Sequence, residues 1–257
     1  MNYTEIEPRA ELAPYVKCYW RLQGDGPGAV ERIVPDGCSE IVLNRADPFR
    51  AVDGDGIQPR LMLVGQIRRF LRIVPTGAVD LLGIRFRPGG LYPILGVPMA
   101  ELTDLRIRLG DASARLEREL EGADLDRIEE TLLRMLRPRS GTVTPSIRDI
   151  LARNGDVSIA SLGTSARTLE RAFRREVGIP AKLLARITRF QGVIRAVEET
   201  ARLDWAGLAV DCGYYDQAHL IRDFKAFSGL SPSRYFATEH PMSDFFTGVS
   251  DSSNPPA

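Results

Sequence analysis

Hydrophobic residues in this chain follow two different periods, and the change between them divides it. In the first hundred residues short apolar segments recur: Tyr15–Leu22, Val30–Pro35, Glu40–Asn44, Leu61–Gln66, Arg72–Val74 and Asp80–Arg87. Turn-forming clusters separate them, among them Pro35-Asp36-Gly37, Pro75-Thr76-Gly77 and Pro88-Gly89-Gly90. Short strands at this spacing predict an antiparallel β-rich domain, sandwich or barrel-like. Ile84 and Phe86 alternate with Arg85 and Arg87. That alternation predicts one buried face and one face open to water or to a ligand. Arg85 and Arg87 are therefore candidate effector-binding residues, set against the plainer reading of a wet strand face.

The period then becomes helical. Leu116, Leu120, Leu125, Ile128, Leu132 and Met135 recur at helical spacing within 111–137. They predict two helices broken near Gly122, with Asp124 capping the second. Pro138-Arg139-Ser140-Gly141-Thr142 reads as a linker. From about Pro145 to Glu239 the pattern is helical, and the tail at 241–257 is expected to be disordered.

The helical region repeats itself at an offset of 51 residues, Ser165 against Asp216. Leu169, Arg171, Phe173 and Gly178 recur as Leu220, Arg222, Phe224 and Gly229. Ser165 and Asp216 are residue types that cap helix N-termini. Leu169/Phe173 and Leu220/Phe224 are i,i+4 pairs on one apolar stripe. Each glycine stands where a left-handed residue ends a helix, and Pro180 or Pro232 follows it. Each copy thus predicts a capped amphipathic helix of about three and a half turns.

Charge separates the copies. Arg167, Arg171 and Arg174 lie at i, i+4, i+7, on a stripe facing away from Leu169 and Phe173, with Arg175 beside it. Guanidinium groups in that array suit guanine edges or phosphates in a major groove. Ser158–Arg195 holds eight Lys/Arg against two Glu, while Ala196–His240 holds four against seven Asp/Glu. The zero net charge of the whole chain therefore conceals a basic segment. In the second copy the matching face offers Ala218, Arg222 and Lys225, flanked by Gln217 and His219. The first helix is expected to supply more affinity, the second register or specificity.

Composition adds bounds. Apolar content of 44% and charged content of 26% are those of a globular chain. Cys18, Cys38 and Cys212 are far apart, and there are only two histidines, so neither a disulfide framework nor a zinc site is expected. The N-terminus is polar and acidic, unlike a signal peptide, and no apolar run reaches the roughly 18 residues of a membrane span. A cytoplasmic protein is expected. Tyr15, Tyr19 and Trp20 are read as core or interdomain packing, with an aromatic-lined pocket as the other reading.

Residues 142–240 resemble the DNA-binding domain of the AraC/XylS family of regulators. The first motif, S-x-R-x-L-x-R-x-F-(x)4-G, stands as Ser165, Arg167, Leu169, Arg171, Phe173 and Gly178. The second runs from Ala209 through Gly213, Tyr214, Asp216, Gln217, His219, Leu220, Arg222, Phe224, Gly229, Ser231 and Pro232 to Tyr235. The resemblance implies a bacterial, sequence-specific transcription regulator. It implies an all-α domain of two helix-turn-helix units joined by a long helix near Ala181–Thr200. Both recognition helices then enter successive major-groove segments about 34 Å apart. Their candidate DNA contacts are Arg167, Glu170, Arg171, Arg174 and Arg175 in the first, and Gln217, Ala218, His219, Arg222 and Lys225 in the second. One departure stands out: only two residues separate Leu162 from Ser165, against seven between Leu208 and Asp216. The first positioning helix is expected to be about one turn short.

The N-terminal region resembles the β-rich domain found before this module in a subset of the family, through Leu12–Trp20, Val34–Asn44, Val64-Gly65-Gln66, Leu81–Gly90 and Leu95–Asp104. The organisation so implied is a sensor or dimerisation domain at 1–110, a helical connector at 111–141, the DNA-binding domain at 142–240 and a tail at 241–257. Double-stranded DNA is the expected partner. A small-molecule effector, a second copy of the chain and RNA polymerase are further candidates, and neither cofactor nor metal is expected. No catalysis is expected. The competing enzyme reading is a DNA-repair alkyl acceptor, for which Cys38 is the one candidate nucleophile. The competing binding reading is an interaction protein whose shortened first unit no longer reads DNA.

Overall fold

The computed structural model describes residues 1–26, 28–53, 56–137, 147, 165–198 and 204–237. The predicted short positioning helix around Ser158–Leu162, the linker at 138–142 and the tail at 241–257 lie outside the described residues.

Strands fill the first half: β1 (Asn2–Ile6), β2 (Val16–Gly24), β3 (Glu31–Ile33), β4 (Ser39–Asn44), β5 (Phe49–Ala51), β6 (Leu61–Val64), β7 (Leu71–Pro75), β8 (Val79–Phe86) and β9 (Arg106–Arg108). Six make one sheet in the order β1-β2-β8-β4-β6-β9, and three make a second, β3-β7-β5. Every pairing is antiparallel. The sheets face each other across a core that includes Trp20, Val42, Met62 and Leu81 from the large sheet and Phe49 and Ile73 from the small one. They are not closed into a barrel, so the sandwich half of the expectation describes the domain and the barrel half does not.

The other face of the large sheet is covered too. Tyr19, Ile41, Leu63, Ile84 and Phe86 pack there against α1 (Tyr92–Leu95), α2 (Leu109–Leu120) and α3 (Leu125–Met135). The helix pair breaks at Gly122, whose φ is +67°, and the Asp124 side chain accepts from Arg127 N at 3.0 Å. Strand β8 is therefore buried on both faces, which corrects the expectation of one wet face. Arg85 is fully buried within the sandwich. Gly83 has a steric role in the same strand: a Cβ there would lie 1.9 Å from the Trp20 ring, which lies across it from β2.

The second half is helical: α4 (Ala166–Glu176), α5 (Ala181–Glu198), α6 (Trp205–Asp211), α7 (Gln217–Ser228) and α8 (Pro232–Tyr235). Phe173, Phe190, Phe224 and Phe227 anchor their shared core. Val34, from the loop between β3 and β4, is part of that same core, so the two halves are packed together.

Candidate nucleic-acid interface

The two repeats fold into the same local object. The Ser165 hydroxyl accepts from Thr168 N at 3.2 Å, and the Asp216 carboxylate accepts from His219 N at 2.7 Å. Each cap satisfies one of the free donors of a helix start and contributes about 1 kcal/mol. Leu169 and Phe173, and Leu220 and Phe224, are buried as the stripe required. Gly178 and Gly229 carry φ of +100° and +76°. An L side chain resists both values, which is why glycine ends each helix.

The outward faces differ. On α4, Arg167, Arg171 and Arg174 are exposed and Glu170 is half-buried. Arg174 Nε lies 3.1 Å from Glu170 Oε1, a surface i,i+4 pair of small energetic weight. Among the described residues, neither Arg167 nor Arg171 meets a carboxylate within ion-pair distance. Arg175 turns elsewhere: it pairs with Glu176, and its guanidinium lies 5.8 Å from the centre of the Tyr92 ring in the N-terminal half.

On α7, Gln217, Ala218, Arg222 and Lys225 are exposed. Arg222 Nε donates to Ala218 O at 3.3 Å. His219 is half-buried and edge-on to Tyr214, with ring centres 5.2 Å apart. Its Nε2 stands 4.0 Å from Asp223. Sequence reading missed Asp223. It is buried and receives Arg186 NH2 from α5 at 2.8 Å, and this hydrogen bond raises the Arg186 pKa above its ordinary value. An acid between Leu220 and Phe227 on an apolar stripe was the available signal, since a buried charge needs a partner. Tyr215 was also missed: it is 90% exposed, immediately before the Asp216 cap.

The structure does not bring Arg85 and Arg87 together. Arg85 Nε lies 2.6 Å from Glu40 Oε1, with Glu5 and Asp36 also within ion-pair reach. It lines a cavity of about 80 Å³ between the sheets, beside Trp20, Cys38 and Met62. Arg87 lies just past the end of β8, where strand alternation has ceased, and donates to Ala13 O at 2.8 Å. Cys38 is buried, and burial, helped by Asp36, pushes its thiol pKa well up. That is the opposite of what a nucleophilic thiolate needs. Among the described residues no group of three or more His, Cys, Asp or Glu is placed to hold a metal ion, and no helix is long and apolar enough to cross a membrane.

A larger open cleft, about 620 Å³, lies between the halves. Arg68, Arg69, Phe70 and Arg106 line it on one side, Leu183, Arg186 and Phe227 on the other.

Comparison with known proteins assigns both halves. Residues 4–108 match a family described as a domain of unknown function (DUF6597). Residues 159–238 match a helix-turn-helix domain family. No curated protein matches. Among solved structures the chain is similar to ToxT from Vibrio cholerae. One ToxT structure at 1.65 Å resolution shares 10% identity at a TM-score of 0.45, over 84% of this chain and 98% of that one. Another, of wild-type ToxT with bound unsaturated fatty acid, shares 12% identity at a TM-score of 0.40, over 84% and 94%.

Proposed function

We propose, from the premise that the chain carries an AraC-type helix-turn-helix domain behind a DUF6597 domain, that it regulates transcription by sequence-specific reading of duplex DNA with α4 and α7. One observation carries this reading. Two equally capped helices, with matched buried stripes, present exposed Arg167 and Arg171 on one and exposed Gln217, Arg222 and Lys225 on the other. Helices of this kind, one DNA turn apart, enter successive major-groove segments about 34 Å from each other. Arg171 and Arg222 stand at equivalent positions of the repeat and are assigned to base edges. Arg167, Arg174 and Lys225 are assigned to phosphates or flanking bases, with Glu170 orienting Arg174. Ala218 offers a small apolar contact, and Gln217 and His219 supply polar readout. Arg175 is not assigned to DNA.

An effector, on this reading, enters the cleft between the halves. The cleft is of ordinary ligand size, whereas the cavity at Arg85 has room for little more than a few water molecules. Arg69 and Arg106, which meet no carboxylate within ion-pair distance among the described residues, select an anionic group, and Phe70 and Leu183 an apolar body.

The test is selection of duplexes from a random-sequence pool by the full chain, followed by sequencing. A split motif with two segments about ten base pairs apart is expected. A pool that stays random after repeated rounds overturns the reading.

A further inference from the structure

The N-terminal half touches both repeats at the same place, the glycine that ends each recognition helix. At Gly178 the Thr103 hydroxyl donates to the carbonyl oxygen at 2.8 Å. A Cβ on Gly178 would stand 2.9 Å from Met99 O and 3.0 Å from Thr103 Oγ1, so the 3-10 turn Met99–Leu102 is seated directly on it. At Gly229 a Cβ would lie 2.4 Å from the Phe70 ring. There Phe70 N donates to Phe227 O at 2.9 Å, and Arg32 NH1 donates to Ser228 O at 2.6 Å. The Arg32 guanidinium also lies 4.3 Å above the Phe70 ring. At the second site these bonds occupy carbonyls that a helix end otherwise leaves open, and the Arg32 cation there suits the negative end of the helix dipole.

The two grips are wired to each other. Arg68 binds Asp104 through its backbone N–H at 2.8 Å and its Nε at 2.6 Å. Asp104 N donates to Gln66 O at 2.8 Å, and Gln66 Nε2 donates to Gly37 O at 2.6 Å. Gly37 sits against Leu184 of the linking helix, and Pro35 O accepts from Gln191 Nε2 of that helix at 2.7 Å. One continuous strip of the N-terminal half therefore holds the first recognition helix, the second, and the helix joining them. A joint made by α5 alone can hinge at either end, whereas a pair tied twice cannot.

We infer that the N-terminal domain is a gauge that sets the distance and angle between the two recognition helices, with Thr103, Phe70 and Arg32 as positioning residues for DNA register. The inference rests on the DNA-reading function proposed above.

The experiment uses the full chain and a duplex that it enriches from a random-sequence pool. Affinity is measured by fluorescence anisotropy on that duplex, on a version with one base pair inserted between its two contacted segments, and on each segment alone. One base pair turns the second segment by about 34° and moves it by about 3.4 Å. A rigid bidentate reader loses about a hundredfold on the insertion, because the second helix no longer engages. In the Thr103→Val, Phe70→Ala double variant the insertion penalty is expected to fall to about tenfold or less, with affinity for single segments unchanged. Thr103→Ser, which keeps the hydroxyl, is expected to retain the wild-type penalty. A penalty that stays the same in the double variant overturns the inference, including when that variant binds every duplex more weakly by one common factor, as a merely destabilised fold would. A wild-type chain that enriches no duplex overturns the DNA reading and this inference with it.

Discussion

The two repeated helices, α4 and α7, share a framework and differ on their surfaces. In both, an oxygen cap starts the helix, a Leu/Phe pair fills the core and a left-handed glycine stops it. On α4 the charge points outward, with three exposed arginines on one stripe. On α7 exposed charge is sparser. Each helix turns one acid inward, Glu176 beside Arg175 on α4 and, on α7, Asp223 against Arg186 of α5. Packing demands are alike wherever a helix of this kind must seat on a common core, so the buried positions repeat. The outward positions are free of that demand and have diverged. On the proposed function, the first helix attracts DNA and the second discriminates.

The shared framework gives the largest expected effects. Phe173→Ala and Phe224→Ala are each expected to cost about 3–5 kcal/mol, because both remove a fully buried ring from the same core. Urea denaturation followed by circular dichroism checks this. A large inequality between the two would break the equivalence of the repeats. Next comes the asymmetry at the inward charge. Arg186→Met strands the buried Asp223 carboxylate and is expected to cost about 2 kcal/mol. Asp223→Asn leaves an Arg186 that reaches solvent and is expected to cost about 1 kcal/mol. Equal costs in the same denaturation assay would mean that Asp223 is not buried as described.

The outward difference shows in salt. Arg167→Ala with Arg174→Ala is expected to shallow the slope of log affinity against log salt by up to about 2, one phosphate contact each. Gln217→Ala is expected to leave the slope alone and relax preference at one base pair. Affinity titrations across salt concentrations decide between these, and equal slopes in all variants would erase the division of labour. The smallest effect concerns the caps. Ser165→Ala and Asp216→Ala are each expected to cost about 1 kcal/mol, read as a lowered melting temperature.

The parts legible in the sequence are those set by local rules. The caps, the glycine stops, the apolar stripes and the break at Gly122 all depend on neighbours within a few residues. Strands β1, β5 and β9 were missed because they are short and lean on remote partners. β1 is mostly exposed at the sheet edge and is fixed by pairing to β2, with Tyr3 stacked on Trp20. Arg85 misled for a similar reason. Charge on alternate positions reads as a wet face unless its counter-charges are known. Here Glu5, Asp36 and Glu40 arrive from elsewhere in the chain. Arg175 was grouped with the candidate DNA-contacting arginines, and helical angle alone does not reveal that Tyr92 lies beside it. The contact between the halves was illegible for the same cause, since Thr103, Phe70 and Arg32 belong to no periodic pattern.

The most direct measurement compares the selected duplex with a scrambled one of equal length, using the wild-type chain and the Arg171→Ala, Arg222→Ala double variant. Two lost base contacts are expected to reduce the ratio of selected to scrambled affinity by about 30-fold or more. A ratio unchanged from wild type would contradict base reading by α4 and α7.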